Sequence, residues 1–247
     1  MLEGTDRHWW YRGRRRIVRA VLSRLDLPDG AEILDAGCGA GSTMDDLARY
    51  GNVHGVELNP LGVKAARDRG HDDVRQARVE ELPYEDNYFD AVTCLDVIEH
   101  TPDDVRSLEE LLRVTRPGGA AIVTVPAYPR LWSNHDVVNE HYRRYTRRSL
   151  RRAGWRAGWG LEYDSHFNGI YLLPAAMVRL VMRGDPEAER RSELALTPRS
   201  LDRLLEWPLR MEAAYLRTGG SLPAGLSLLA VMRAPGGTPA AALRAAA

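Results

Sequence analysis

The chain has 247 residues, of which 44% are hydrophobic, and its 34 basic and 34 acidic residues leave no net charge. That composition is typical of a globular protein with a substantial core, and it excludes the positive excess of a general nucleic-acid binder. The two cysteines, Cys38 and Cys94, are isolated and form neither a disulfide framework nor a zinc-ligand set. The N-terminus lacks the apolar core of a signal peptide, and the most apolar run, residues 170–182, is too short to span a bilayer. We therefore expect a cytoplasmic protein without membrane insertion.

The predicted elements begin with a helix at residues 14–25, where apolar side chains recur at helical spacing. From residue 31 onward, predicted strands and helices alternate, which favours a mainly parallel sheet with helices on both faces. The predicted strands are 31–36, 53–57, 74–79, 89–95 and 120–125. The predicted helices between them are 42–50, 60–69 and 102–115, the last ended by the segment RPGG at 116–119.

Beyond residue 126 the pattern changes, first to an irregular polar and aromatic stretch at 128–145. A predicted helix at 147–155 and a predicted strand at 161–167 follow. Residues 170–216 predict helices interrupted by prolines, and 226–233 predicts a final strand. The late helices therefore predict a cap inserted before the last strand rather than a separate domain. The prolines expected to interrupt the cap are Pro174, Pro186, Pro198 and Pro208.

A glycine-rich loop follows the first predicted strand, where residues 32–42 read EILDAGCGAGS. In a dinucleotide-binding fold this loop reads GxGxxG and faces a pyrophosphate, and the third glycine of that spacing would fall at Ser42. Asp35 places a carboxylate directly before the loop, which suits a cationic ligand and would repel a pyrophosphate. The loop therefore favours a cationic ligand over a dinucleotide.

Glu57 ends the second predicted strand, about 20 residues after the glycines, where a carboxylate can accept hydrogen bonds from both ribose hydroxyls. NAD-dependent enzymes also carry an acid there, so Glu57 alone does not discriminate, and it could also be a solvated charge. A third segment, at 80–100, reads EELPYEDNYFDAVTCLDVIEH, and RPGG precedes the fifth predicted strand.

These four motifs, in this order, resemble those of class I S-adenosylmethionine (SAM)-dependent methyltransferases, which read DxGxGxG and then LPF…FDxV…LEH. The resemblance implies an α/β fold, with a Rossmann-like, doubly wound, seven-stranded, mainly parallel sheet of order 3-2-1-4-5-7-6. It implies SAM as cofactor and S-adenosylhomocysteine as product. The implied regions are a lid and helix at 1–30, a SAM-binding core at 31–169 with a substrate loop at 128–146, a helical cap at 170–225, the last core strand at 226–234 and a flexible tail at 235–247.

The resemblance also implies roles for matched positions. The glycine loop would hold the methionine part of SAM, Glu57 the ribose, and Leu58 one side of the adenine. Arg78 stands where the family often has an aspartate that accepts from the adenine amino group, so backbone, Glu80 or packing must replace that contact. The implied cofactor-binding residues are Asp35, Gly37, Cys38, Gly39, Gly41, Glu57, Leu58, Val79, Glu80 and Leu95.

The stretch after the fifth predicted strand carries the candidate catalytic residues, because ligands bind at the carboxyl ends of strands in a doubly wound sheet. His135 and His141 lie beside acids, and a histidine can accept a proton near pH 7 from a hydroxyl or an ammonium group. Either histidine could instead make structural hydrogen bonds. This stretch also resembles the HxRRYT segment of a bacterial subgroup of these methyltransferases, whose substrates are varied or unassigned. No metal-ligand spacing is apparent, so we expect no bound metal.

Candidate substrate-binding residues lie next to these histidines. Arg143 and Arg144 can grip a carboxylate or phosphate, or can pair with acids of their own loop, and Tyr145 follows them. His100, which closes the segment VIEH, lines the cleft or caps its strand end.

Near the N-terminus, His8 is followed by Trp9, Trp10 and Tyr11. Consecutive aromatic residues do not form one helical stripe. They either cover the adenine or the sulfonium group as a lid, or staple the first helix to the domain.

These patterns favour a methyltransferase acting on oxygen or nitrogen of a small molecule, such as an acidic metabolite or natural-product intermediate. The apolar cap would suit a substrate with an apolar portion, but it could also serve a membrane-surface or homodimer contact, or ordinary packing. An RNA or protein methyltransferase is an alternative, although zero net charge counts against RNA and we expect no nucleic-acid partner. A non-catalytic SAM-binding protein remains open, and Asp35 and Ser42 disfavour an NAD-dependent oxidoreductase.

Overall fold

The computed structural model describes residues 9–181 and 202–236. The strands are β1 Ala31–Ala36, β2 Gly51–Glu57, β3 Val74–Gln76, β4 Phe89–Leu95, β5 Thr115–Pro126, β6 Gly160–Phe167 and β7 Ser227–Arg233. The helices are α1 Trp9–Leu22, α2 Met44–Leu47, α3 Pro60–Asp68, α4 Asp104–Val114, α5 Asn134–Val138, α6 Arg147–Arg156, α7 Leu172–Val181 and α8 Asp202–Arg217. His8, Pro186, Pro198 and residues 237–247 of the expected tail lie outside the described residues.

All seven strands form one sheet in the order β3-β2-β1-β4-β5-β7-β6. Strands β1 to β5 pair in parallel, and β7 runs antiparallel between β5 and β6. The predicted fold class and strand order are confirmed. Strands β2 and β3 lie on one side of β1, and β4 and β5 lie on the other, so the strand order switches sides at β1. The carboxyl ends of β1, β2 and β4 therefore border the crevice in which such sheets bind ligands.

The core occupies both faces of the sheet because neighbouring strand residues point to opposite sides. Ile33 and Leu34 on β1 are both fully buried, yet Ile33 packs in the cluster that contains Ile17 of α1, whereas Leu34 packs in the cluster that contains Leu108 of α4. Burying one such side chain stabilises the fold by about 1.5–3 kcal/mol. Helix layers on both faces therefore hold the strand ends in fixed positions.

Helix α1 begins at Trp9, five residues earlier than predicted, so the consecutive aromatic residues are helical after all. Trp9 is buried, and its ring centroid lies 4.7 Å from that of Tyr171, just before α7. Gly13 faces Leu209 of α8 so closely that a Cβ atom at Gly13 would lie 2.0 Å from Leu209 Cδ1. Contact with α8 therefore explains why α1 includes residues 9–13, which precede the segment with apolar residues at helical spacing.

The described part of the cap comprises α7 and α8, which lie between β6 and β7 along the chain. Pro174 lies in the first turn of α7, where the missing N–H is not needed, and Pro208 lies inside α8, so neither proline ends a helix as predicted. Glu206 of α8 is almost completely buried and binds Arg12 and Arg16 of α1 at 2.8 and 2.7 Å. These contacts keep α8 packed on α1 despite the internal proline.

The segment RPGG also differs from its predicted position, because it forms the beginning of β5 rather than a turn before it. The pairing of β5 with β4 is irregular at this point, between Phe89 and Ala91. Among the described residues, no helix combines the length and the apolar character required to cross a membrane.

Candidate active site

Asp35 lies near the carboxyl end of β1 and is 2% exposed. Thr93 Oγ1 donates to its Oδ1 at 2.7 Å, but Asp35 Oδ2 has no hydrogen-bond partner among the described residues. Burial raises the pKa of the Asp35 carboxyl to about 6. Gly37 follows with a φ of +82°, and a Cβ atom there would lie 2.3 Å from Val97 Cγ2, so only glycine fits this turn. The loop thus presents a buried carboxylate with unused acceptor capacity.

Glu57, at the end of β2, is joined to the glycine loop by hydrogen bonds. Its Oε2 accepts from the Gly39 N–H at 2.9 Å, and its Oε1 accepts from the Asn59 N–H at 2.7 Å. Each carboxylate oxygen has two lone pairs, so both oxygens keep capacity for further donors. Leu58, directly after Glu57, is 54% exposed and is available for contact with a flat apolar group.

The other cofactor candidates surround this crevice. Cys38 is buried, and burial raises the pKa of its thiol well above the usual range. Val79 and Leu95 are buried apolar residues, each 6% exposed. Arg78 Nη2 donates to Glu80 Oε1 at 3.0 Å. Arg78 is thus paired with the acid that was suggested to replace the family's missing aspartate.

Sequence reasoning missed a pair that connects α1 to the site. Arg14 Nη1 donates to Asp96 Oδ2, and Asp96 directly follows β4. Thr124 Oγ1 donates to the other oxygen of Asp96 at 3.1 Å, and Asp96 has a φ of +57°, which is uncommon for a residue with a side chain. Asp96, the first acid of the LDVIEH segment, was the only sign of this pair in the sequence. Its partner Arg14 lies 82 positions away, so sequence spacing did not connect them.

His141 is oriented by a buried aspartate. Asp136 Oδ1 accepts from His141 Nδ1 at 2.9 Å and from Arg144 Nε at 2.7 Å, and Asp136 Oδ2 accepts from the Ser133 N–H at 2.8 Å. Burial opposes ionisation of Asp136, but these bonds outweigh it and hold its pKa well below its usual range. Because Nδ1 of His141 faces Asp136, Nε2 is the ring nitrogen left for another partner.

Two neighbouring residues in the chain, Glu99 and His100, lie against His141. One metal-ligand type atom from each of the three residues lies within 4.8 Å of the others, and the rings of His100 and His141 are 4.6 Å apart between centroids. Glu99 is 1% exposed, and its Oε2 has no hydrogen-bond partner among the described residues. Burial and the nearby Asp96 raise the pKa of Glu99, while burial and His141 lower the pKa of His100. His135 lies slightly farther away, with its ring centroid 6.3 Å from that of His141.

The expected substrate clamp is mostly engaged within the protein. Arg143 binds the Asp104 carboxylate at 3.0 Å and the Pro102 carbonyl at 2.6 Å. The residue Arg144 is 6% exposed, and besides its bond to Asp136 it donates to the Ala127 carbonyl at 3.2 Å. Tyr145 is 2% exposed and its hydroxyl donates to Asp104 at 2.8 Å. The structure therefore places Tyr145 in the core rather than in the cleft.

The aromatic residues of α1 divide into two environments. Trp9 is buried against Tyr171 and Trp10, which supports the staple interpretation for this residue. Trp10 and Tyr11 are half-buried, and their role as a lid remains a prediction.

A family match over part of the chain accompanies the sheet order and the acidic glycine loop. Residues 34–123 match the family model described as "Methyltransferase domain". The chain contains a class I SAM-dependent methyltransferase domain, and SAM is the cofactor of that class.

Individual known proteins extend this comparison. A ubiquinone biosynthesis O-methyltransferase from Xanthomonas oryzae pv. oryzae is 42% identical over 106 residues, which cover 40% of this chain and 44% of that protein. The chain thus spans less than half the length of the curated relatives it matches. The [4+2]-cyclase SpnF has a TM-score of 0.61 at 22% identity, over 95% of this chain and 86% of SpnF. A Haemonchus contortus phosphoethanolamine N-methyltransferase bound to S-adenosylhomocysteine has a TM-score of 0.59 at 19% identity, over 92% of this chain and 53% of that one. The two structural similarities establish the fold alone.

Proposed function

We propose that this protein transfers the methyl group of SAM to an oxygen or nitrogen atom of a small molecule. The observation that carries the proposal is the pair of carboxylates, Asp35 and Glu57, at adjacent strand ends on either side of the glycine loop. Asp35 keeps an unsatisfied oxygen for the positively charged methionine part, and Glu57 keeps lone pairs for the ribose hydroxyls. Both features suit a cationic nucleoside.

SAM supplies an activated methyl group, so the protein itself must bind, orient and exclude water. Gly37, Gly39 and Gly41 would let the backbone approach the methionine part, and Leu58, Val79 and Leu95 would contact the adenosine. Arg14, anchored on Asp96, would close α1 over this crevice. Orientation of the two reactants can contribute about 7–11 kcal/mol to the rate enhancement.

His141 is the residue that we propose to activate the acceptor, with His135 as the second candidate. Asp136 holds the ring of His141 through Nδ1, and His141 lies against Glu99 and His100, close after the end of β4. We expect His141→Ala to keep the affinity for S-adenosylhomocysteine and to lose turnover. Unchanged turnover in this variant would remove His141 from the mechanism.

We further propose a cytoplasmic enzyme with a small-molecule substrate. We propose no nucleic-acid partner, since the sequence has no net charge. The exposed apolar side chains of α7 and α8 provide a surface for a homodimer, which analytical ultracentrifugation would test. These side chains are Leu173, Met177, Leu204, Trp207 and Met211.

A second candidate function is cofactor binding without methyl transfer. The similarity to SpnF, a cyclase by name, supports this candidate because that protein uses the same fold. Cofactor binding with no methylated product across a broad metabolite screen with labelled SAM would favour it, whereas one labelled product would establish the methyltransferase.

Thermal unfolding of the full chain tests the cofactor proposal. S-adenosylhomocysteine at 100 times its Kd should stabilise the protein by about 2.7 kcal/mol, and NAD should have no effect. Glu57→Gln should reduce the stabilisation, whereas Glu85→Gln, an exposed acid remote from the glycine loop in sequence, should retain it. Stabilisation by NAD and not by S-adenosylhomocysteine would refute the proposal.

A further inference from the structure

We propose that Glu99, His100 and His141 bind one divalent transition-metal ion, and that the acceptor's reacting oxygen occupies an open position on that ion. This inference rests on the proposed function for its acceptor, and it assigns the activating role of His141 to coordination. Sequence spacing pointed to no metal, because the fold alone brings residues 99–100 next to residue 141.

The three side chains already converge on one point. Their ligand-type atoms lie within 4.8 Å of one another, a separation that a single ion between them can bridge after small side-chain rotations. Glu99 Oε2 is buried without a hydrogen-bond partner among the described residues. A buried polar oxygen without a partner is costly, and a bound cation would remove that cost.

The surroundings orient the ligands as metal sites require. Metal-binding histidines usually donate their second ring N–H to a carboxylate, and Asp136 fills that role for His141 at 2.9 Å. Asp136 is itself held by Arg144. The Tyr142 N–H donates to the Glu99 carbonyl at 2.7 Å and thereby brings His141 against the Glu99–His100 turn. Asp96 is engaged by Arg14 and is not part of the ligand set.

The donor set indicates the kind of ion. Two imidazoles and one carboxylate suit first-row ions such as Zn²⁺, Co²⁺ or Fe²⁺ better than Mg²⁺, which prefers oxygen ligands. Three protein ligands leave a fourth position open, as in catalytic sites. A hydroxyl group bound there loses its proton to water at neutral pH, the resulting oxygen forms the new bond to the methyl carbon, and the carbon–sulfur bond pair remains on sulfur. An oxygen acceptor is therefore expected.

Metal binding can be measured without a known substrate. The untagged full chain, stripped with EDTA and dialysed, would be titrated with Zn²⁺ by calorimetry and with Co²⁺ by visible absorption. We expect one ion per chain, and a Co²⁺ spectrum of a low-coordinate nitrogen–oxygen site. Glu99→Gln and His141→Ala should abolish binding, Asp136→Asn should weaken it about 10–100-fold, and His135→Ala, the control in the same loop, should retain it.

Several results would overturn the inference. These are the absence of Zn²⁺ and Co²⁺ binding, binding that Glu99→Gln leaves unchanged, or equal loss in His135→Ala. Full methyl transfer by EDTA-treated protein would also overturn it and would make His141 a direct proton acceptor. S-adenosylhomocysteine binding to the metal-free chain is measured separately, so failure of the metal site is distinguishable from failure of the cofactor assignment.

Discussion

Asp35 carries an electrostatic cost in the cofactor-free protein. Its pKa rises from 3.8 to about 6 because it is buried, and at about 1.36 kcal/mol per pKa unit this corresponds to about 3 kcal/mol. The folded state retains the proton at a higher pH than the unfolded state, so stability falls as pH rises between these values and the full cost applies above pH 6.

Asp35→Asn removes that cost while keeping an acceptor oxygen for Thr93. We expect this variant to be more stable than the wild type at pH 7.5, by up to about 3 kcal/mol, and to lose the stabilisation by S-adenosylhomocysteine. Urea unfolding with and without ligand measures both effects. An unstable variant with intact ligand binding would show that the carboxylate supports the fold instead.

The same residue predicts how cofactor affinity depends on pH. A ligand that needs the ionised carboxylate must displace the proton below pH 6, so its affinity should fall about tenfold per pH unit there. Calorimetric titration with S-adenosylhomocysteine between pH 5 and 7.5 measures this dependence. Asp35→Asn is the control, and its weak binding should vary little over that range.

At individual residues, sequence reasoning could start only from chemistry that is local in the sequence. Asp35 and Glu57 flank a glycine loop whose spacing alone indicates a ligand. The bond between Arg14 and Asp96 was not predictable, since it joins residues 82 positions apart. Tyr145 was predicted to bind substrate because it lies in a polar loop, where the sequence gives no sign of burial. The structure shows it buried, with its hydroxyl donating to Asp104.

At the scale of elements, the contact between α1 and α8 is unusually close. Gly13→Ala should destabilise the protein by about 1–3 kcal/mol, because the new Cβ would overlap Leu209 Cδ1. Adding Leu209→Ala frees space, so the double variant should be more stable than the sum of the two single effects predicts. Urea unfolding of all four proteins measures this coupling. Strict additivity would show that the helices separate at that point.

The positions of strands and helices followed from apolar periodicity, but several ends did not. Pro174 and Pro208 were predicted to break helices. Pro174 instead lies in the first turn of α7, and α8 continues past Pro208 because it packs on α1. Helix α1 extends to Trp9 because Tyr171 and Leu209 provide a surface for its first turns. Local propensity could not include these distant partners.

For the whole molecule, the alternation of strands and helices predicted a mainly parallel sheet but not its strand order. Parallel strands need right-handed crossovers and short connections, which leave few possible orders, and the motif resemblance selected one of them. The cluster of Glu99, His100 and His141 depends on how the loop after β5 folds back, and no rule of topology specifies that path.

The attachment of α1 to α8 has a consequence for how the protein is made. Arg16 lies 190 positions before its partner Glu206, so the first helix leaves the ribosome long before the surface that receives it has been synthesised. Strands β1 to β6 are all synthesised before α8, so α1 can meet most of the sheet before it meets this helix. A chain interrupted before α8 would therefore keep the sheet surface on which Ile17 packs but would leave Arg12 and Arg16 without their buried acid.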